Sequence, residues 1–228
     1  MITDFIIKEN AMALYALGDL HLSFSNPEKS QERFGKIWHD HEWKAKKNIE
    51  KLVKPEDTIV LTGDHSWGNN LVQCKRDLDF IEAFPGRKIL LRGNHDHFWP
   101  ANKTRKLNDI FDGRLYFLQN NFYTYKDYAL VGTKGFCFEG PFYVDRRNGM
   151  ITGYDKDAYE HAKVLVEREK KRLMTGIDAA RAAGYSKFII FLHYPPTSII
   201  ETDSAFTRIA EEISAEQVIY SHSHGKER

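Results

Sequence analysis

The sequence predicts a single mixed α/β domain. Short apolar runs of strand length recur along the chain, each is followed at once by glycine or a polar residue, and longer amphipathic segments lie between them. No internal repeat, low-complexity tract or linker divides the 228 residues, and one core can serve a chain of that length.

Taken in order, "ALYAL" (13–17) precedes Gly18-Asp19, "TIVL" (58–61) precedes Thr62-Gly63-Asp64, and "KILL" (88–91) precedes Arg92-Gly93-Asn94. "KFIIFL" (187–192) then precedes His193, and "QVIY" (217–220) precedes Ser221-His222. Near-continuous apolar runs of this kind are what strands buried on both faces look like. Helical spacing appears at 31–53, through Phe34, Ile37, Trp38, Ala45, Ile49 and Leu52, and at 70–84, through Leu71, Leu78, Ile81 and Phe84. The longest helix is expected over 155–183, with Ala158, Leu165, Leu173 and Ile177 as its apolar stripe and Gly184 as its cap. "NNFYTYKDYALVG" (120–132) reads as an antiparallel hairpin turning at Lys126-Asp127. Residues 1–11 read as an N-terminal extension and 12–228 as the domain, with Met12 as an alternative first residue.

Bulk composition narrows the partners. A net charge of +1 argues against a nucleic-acid partner. The densest basic stretch, "WKAKKNIEKLVK", is interleaved with Glu50 and reads as the wet face of a helix. Only two cysteines are present, Cys74 and Cys137, without metal-site spacing, which suits a reducing compartment and excludes a Cys-rich zinc site. Asp4, Lys8 and Glu9 break the first apolar runs, so no signal peptide is read there, and no stretch is long enough to span a bilayer. The expected location is the cytoplasm, with no membrane partner.

The polar residues just after the five strand-like runs carry the chemistry. They are Asp19 and His21 in "GDLH", Asp64 in "GDHS", Asn94 and His95 in "GNHD", His193 in "LHYPP", and His222 and His224 in "SHSH". Each has a bland reading alone: Asp19 as a turn former, Asn94 as a left-handed residue, His193 as a rim histidine, His222-x-His224 as a solvated tail. Jointly they are harder to dismiss, because loops at the carboxyl ends of parallel strands converge on one rim. Carboxylate and imidazole donors in this mixture suit Mn, Fe or Zn. Seven donors are too many for one ion and about right for two sharing a carboxylate. Two cations roughly 3.5–4 Å apart can hold a hydroxide at neutral pH and neutralise a phosphoryl oxygen during in-line attack. His95, beside these donors, is placed to protonate a leaving oxygen.

Gly18-Asp19-x-His21, Gly63-Asp64, Gly93-Asn94-His95-Asp96, His193 and His222-x-His224, in this order, resemble the calcineurin-like metallophosphoesterase family. The resemblance runs from about Ala13 to His224, and "GDLHLSF", "SWG" and "LHYPP" point to a bacterial branch. It implies a four-layer α/β/β/α sandwich of two facing mixed sheets, here shortened at the C-terminus. It implies two divalent or mixed-valence ions (Mn, Fe or Zn) and a small phosphomonoester or phosphodiester substrate. Carried over by position, Asp19, His21 and His224 hold the first ion, Asn94, His193 and His222 the second, and Asp64 bridges both. His95 acts as the acid near the leaving group, with Asp96 grouped beside it as a catalytic residue. Where the family has glycine before the final His-x-His, Ser221 stands here, and a positive φ at that position would strain it. Outside the motif, His65 reads as a surface residue or a phosphate contact, and His97 and Trp99 as the pocket mouth or a helix start. The alternatives kept open are a nuclease of the same superfamily, a serine/threonine protein phosphatase suggested by "LRGNH", and a non-catalytic metal-binding scaffold.

Overall fold

Parallel strands with short polar exits organise the chain, as the apolar runs imply. The computed structural model describes residues 3–5, 12–137, 141–145, 147–148, 150–198 and 201–223. They form two compact units, Met1–Gln119 and Asn120–Arg228.

The first unit is built on a mixed five-stranded sheet in the order β1-β2-β3-β4-β5. Its strands are β1 (Thr3–Phe5), β2 (Leu14–Leu17), β3 (Thr58–Leu61), β4 (Arg87–Leu91) and β5 (Tyr116–Leu118). β2 through β5 run parallel, in the register Leu17↔Leu61, Leu61↔Leu90 and Leu90↔Phe117, while β1 adds antiparallel to β2. Residues of the presumed extension thus supply an edge strand. Helices α1 (His41–Leu52), α2 (Leu71–Glu82) and α3 (Thr104–Phe111) pack Ile49, Leu78, Ile81, Leu107 and Phe111 against Leu17, Ile59, Leu61, Leu90 and Phe117. Buried Asp57 ties the sheet's far end together, accepting the Ala13 N–H at 2.7 Å and the Lys54 N–H at 2.8 Å.

The helix expected over 31–53 forms only from His41 onward. Gly35, at φ +126, and Asp40, at φ +51, interrupt the segment into short 3₁₀ turns, and Phe34 and Ile37 stand 62% and 82% exposed. An apolar spacing that skips over a left-handed break does not make one face.

The second unit holds a mixed four-stranded sheet in the order β11-β10-β7-β6. The hairpin of β6 (Phe122–Tyr125) and β7 (Tyr128–Thr133) turns at Lys126-Asp127 as expected, with Lys126 left-handed at φ +52. β10 (Lys187–Leu192) and β11 (Gln217–Ile219) continue the sheet parallel to β7. A small separate hairpin, β8 (Phe142–Val144) and β9 (Ile151–Tyr154), rests Phe142 against the start of the long helix.

That helix, α4 (Lys156–Ala182), and α5 (Ala205–Glu212) pack Leu173, Ile177, Ala180, Phe206 and Ile209 on β7 and β10. Its buried stripe runs Ala162, Val166, Glu169, Leu173, Gly176, Ile177, Ala180, so Ala158 stands exposed and Leu165 only partly covered, against expectation. The register moved because Glu169 is inside. Its carboxylate accepts the Thr133 hydroxyl at 2.6 Å and pairs with Arg172. Gly184 ends the helix as predicted: at φ +90 it lets its own N–H reach Arg181 O at 2.9 Å and the Tyr185 N–H reach Ala180 O at 3.0 Å, the double bond of a Schellman cap. No helix among the described residues is long and apolar enough to cross a membrane.

Candidate metal centre

In the first unit the exits of β2, β3 and β4 lie side by side, because the strands are adjacent and parallel. Pairing between β2 and β3 continues beyond the strands themselves. The N–H groups of Asp19, His21 and Leu22 donate to Gly63 O, Asp64 O and His65 O at 3.1, 2.8 and 2.9 Å, and Trp67 N–H returns to Leu22 O at 2.9 Å. To run these exits in step, Asp19, His21 and Asp64 adopt left-handed backbone at φ +59, +44 and +54. Such conformations cost of order 1 kcal/mol or more each in a non-glycine residue. Strain held at neighbouring polar residues marks this rim apart from an ordinary loop.

The side chains converge. His21 Nε2 lies 3.9 Å from Asp19 Oδ1 and 3.7 Å from Asp64 Oδ2, and one ligand atom from each of the three falls within 4.8 Å of the others. His21 and Asp64 are buried, at 3% and 1% exposure. Two carboxylates and an imidazole gathered away from water form a costly group unless a cation is shared among them. The donor set therefore fits a borderline or hard divalent ion.

Asp64 is held by the β4 exit. Its Oδ1 accepts the His95 N–H at 2.8 Å. Gly93 passes so close that a Cβ there would sit 2.1 Å from Asp64 Oδ1 and 2.3 Å from Asp64 N, so glycine is required for approach. Asn94 and His95 follow, both partly exposed on this rim.

Asp96, grouped at first with the catalytic residues, is 0% exposed. Its Oδ2 accepts the N–H groups of Gly93 and Asp64 at 2.7 and 2.9 Å, and its Oδ1 that of His65 at 2.8 Å. Both oxygens are occupied in tying the β3 and β4 exits together. His65 is neither at the surface nor a phosphate contact: it is 1% exposed, with Nε2 2.8 Å from Leu91 O. Trp99 lines no pocket mouth: it is fully buried, edge-on to Phe117, and donates to Thr104 Oγ1 at 3.2 Å, at the start of α3. His97 alone of that pair is exposed.

A second polar knot, invisible in the sequence, backs the rim. Ser66 donates to the Asp77 carboxylate and accepts the Gly68 N–H at 3.0 Å, while Asp77 also accepts the Phe24 N–H at 2.9 Å. Burial raises the Asp77 carboxyl above its usual range, and burial likewise pushes the Cys74 thiol up to about 12. Cys74 therefore stays a neutral thiol at neutral pH.

In the second unit, the exits of adjacent β10 and β11 bring His193 and His222 together. His193 Nε2 and His222 Nδ1 are 3.2 Å apart, with the rings edge to face at 4.9 Å. Two nitrogens on one cation at ordinary ligand distances of about 2.0–2.1 Å would be separated by a similar gap. Tyr194 packs 4.3 Å from the His222 ring. The strain expected at Ser221 falls one residue on: His222 is the left-handed residue, at φ +71. Ser221 instead donates its N–H to His193 O at 3.2 Å. His224 lies outside the described residues.

A family model described as calcineurin-like phosphoesterase matches residues 12–226. Comparison with curated proteins gave no match. Among solved structures, the chain is similar to a phosphopantetheinyl hydrolase from Mycobacterium tuberculosis, at 14% identity and TM-score 0.50, covering 93% of this chain and 83% of that one. It is also similar to a protein of unknown function from Aquifex aeolicus, at 17% identity and TM-score 0.41, covering 92% and 89%. The match running through every strand exit described above carries the assignment: the chain belongs to the calcineurin-like phosphoesterase family.

Proposed function

We propose that the protein hydrolyses small phosphomonoesters or phosphodiesters with two metal ions, Mn, Fe or Zn, and that residues 12–228 act as one catalytic domain. The ligands proposed are Asp19, His21, Asp64, Asn94, His193, His222 and His224. The gathering of Asp19, His21 and Asp64 within 4.8 Å, under backbone strain, is the observation that carries this reading. Bound there, divalent cations would neutralise phosphoryl charge and acidify water near neutral pH.

The chain's own groups do the rest. Asp64, fixed by the His95 N–H, orients its second oxygen toward His21. His95 gives its backbone N–H to that tether, and its imidazole, 5.7 Å from the His21 ring, can hold the proton that a leaving oxygen needs. Asp96 is a positioning residue in this account. Asp96→Ala should orphan three buried N–H donors and cost about 3 kcal/mol or more, read as a lowered midpoint in urea.

The test is turnover of nitrophenyl phosphate and bis-nitrophenyl phosphate by metal-loaded protein. Activity that disappears with chelator and returns with added Mn²⁺ or Zn²⁺ is expected. A protein carrying stoichiometric metal yet turning over neither ester would be a scaffold, and the reading would be wrong. His95→Ala should keep its metal and lose about 10²–10⁴-fold in turnover of alkyl esters. The loss should shrink for nitrophenolate, which leaves without a proton. An equal loss across leaving groups would place His95 on the phosphoryl group instead.

A further inference from the structure

Trp67 is a large apolar side chain that does not join the apolar core of its unit. Among the described residues its ring neighbours are two imidazoles. The indole stacks on His21 at 5.0 Å and 22°, and lies 4.4 Å from His95 at 51°, while the two imidazoles are themselves 5.7 Å apart. It forms a wall shared by one assigned ligand and the assigned acid.

The wall is held from its backbone. Trp67 N–H donates to Leu22 O at 2.9 Å, and its carbonyl accepts from Lys29 Nζ at 3.2 Å. The residues on either side are locked as well. Ser66 is bonded into the Asp77 knot, and Gly68 is packed so that a Cβ would fall 2.5 Å from Cys74 Sγ. Aromatic side chains usually contribute by burying 150–250 Å² in a core or interface. Here that surface is placed against polar rings that backbone bonds alone would leave free to rotate about χ1 and χ2.

We propose that Trp67 is a positioning residue for the proton-donating step, setting the ring orientation of His95. The proposal rests on the phosphoesterase reading above and adds to it a residue that acts through His95.

A misplacement of about 1 Å can cost about a hundredfold in rate, so Trp67→Ala should lower kcat on alkyl phosphoesters by about tenfold to a hundredfold, with KM nearly unchanged. The loss should shrink for nitrophenyl esters, as for His95→Ala. Residues acting as one unit are not additive, so Trp67→Ala with His95→Ala should be no slower than His95→Ala alone. Trp67→Phe should keep most of the activity, and Trp67→Leu, of comparable bulk without a ring, should not. Phe and Leu variants performing alike, or an additive double mutant, would overturn the proposal. Trp67→Ala losing activity only in proportion to lost metal would also overturn it. Failure of the underlying reading looks different: the parent protein would then show no metal-dependent turnover, or His95→Ala no dependence on leaving group.

Discussion

Asp64→Asn is expected to lose about 10³-fold or more in turnover, the scale of several kcal/mol that charge stabilisation by metal ions supplies. The substitution isolates charge from shape. Asparagine keeps an oxygen for the His95 N–H that Asp64 Oδ1 accepts at 2.8 Å, and it tolerates the left-handed φ of +54 found there. What it removes is one negative charge beside Asp19 and His21. Without metal that removal should be neutral or stabilising, since a buried carboxylate near a second one is unfavourable until a cation arrives. With metal the order should reverse. A ligand at a hundredfold excess over its Kd stabilises by about 2.7 kcal/mol, roughly 5–10 °C in Tm for a chain of this size. Metal should raise the Tm of the parent protein and do so much less for Asp64→Asn. A variant that keeps the full metal-induced rise and two tightly bound ions would remove Asp64 from the centre.

The strands that carry these residues were legible because parallel strands covered on both faces leave continuous apolar runs, as at Thr58–Leu61, where every residue is buried. The candidate ligands stood out for the same reason, each run ending in an abrupt polar exit. What escaped had physical causes. α3 and α5 are eight residues each, too short for a periodic pattern to stand out. Glu169 shifted the stripe of α4 because a buried charge with partners at Thr133 and Arg172 looks, in sequence, like a solvent face. His65 was misplaced by the same logic, its ring nitrogen meeting Leu91 O inside the unit. Asp96 shares its motif with His95, and only its three backbone donors separate a brace from a reacting group. The left-handed residues at Asp19, His21, Asp64 and His222 carried no glycine to announce them.

Gly93→Ala should be nearly as damaging as losing the Asp64 charge, although it adds one methyl group and changes no charge. The glycine φ is not the reason, since Gly93 is absent from the left-handed set. Space is. The added Cβ would lie 2.1 Å from Asp64 Oδ1 and 2.3 Å from Asp64 N, more than 1 Å inside ordinary contact, and one of those atoms belongs to backbone that cannot swing away. The Gly93 N–H is itself bonded to Asp96 Oδ2 at 2.7 Å, and Asp96 also holds Asp64 and His65, so the loop cannot retreat without releasing the same knot. Overpacking of this kind costs about 1–3 kcal/mol, and a displacement near 1 Å at the carboxylate about a hundredfold in rate. Gly93→Ala should therefore show a lowered Tm with and without metal, unlike Asp64→Asn, together with weakened metal binding and a loss of about a hundredfold or more in turnover. Normal turnover and metal content in Gly93→Ala would mean that Asp64 can shift by an ångström without consequence, and a carboxylate so tolerant of position is not a ligand.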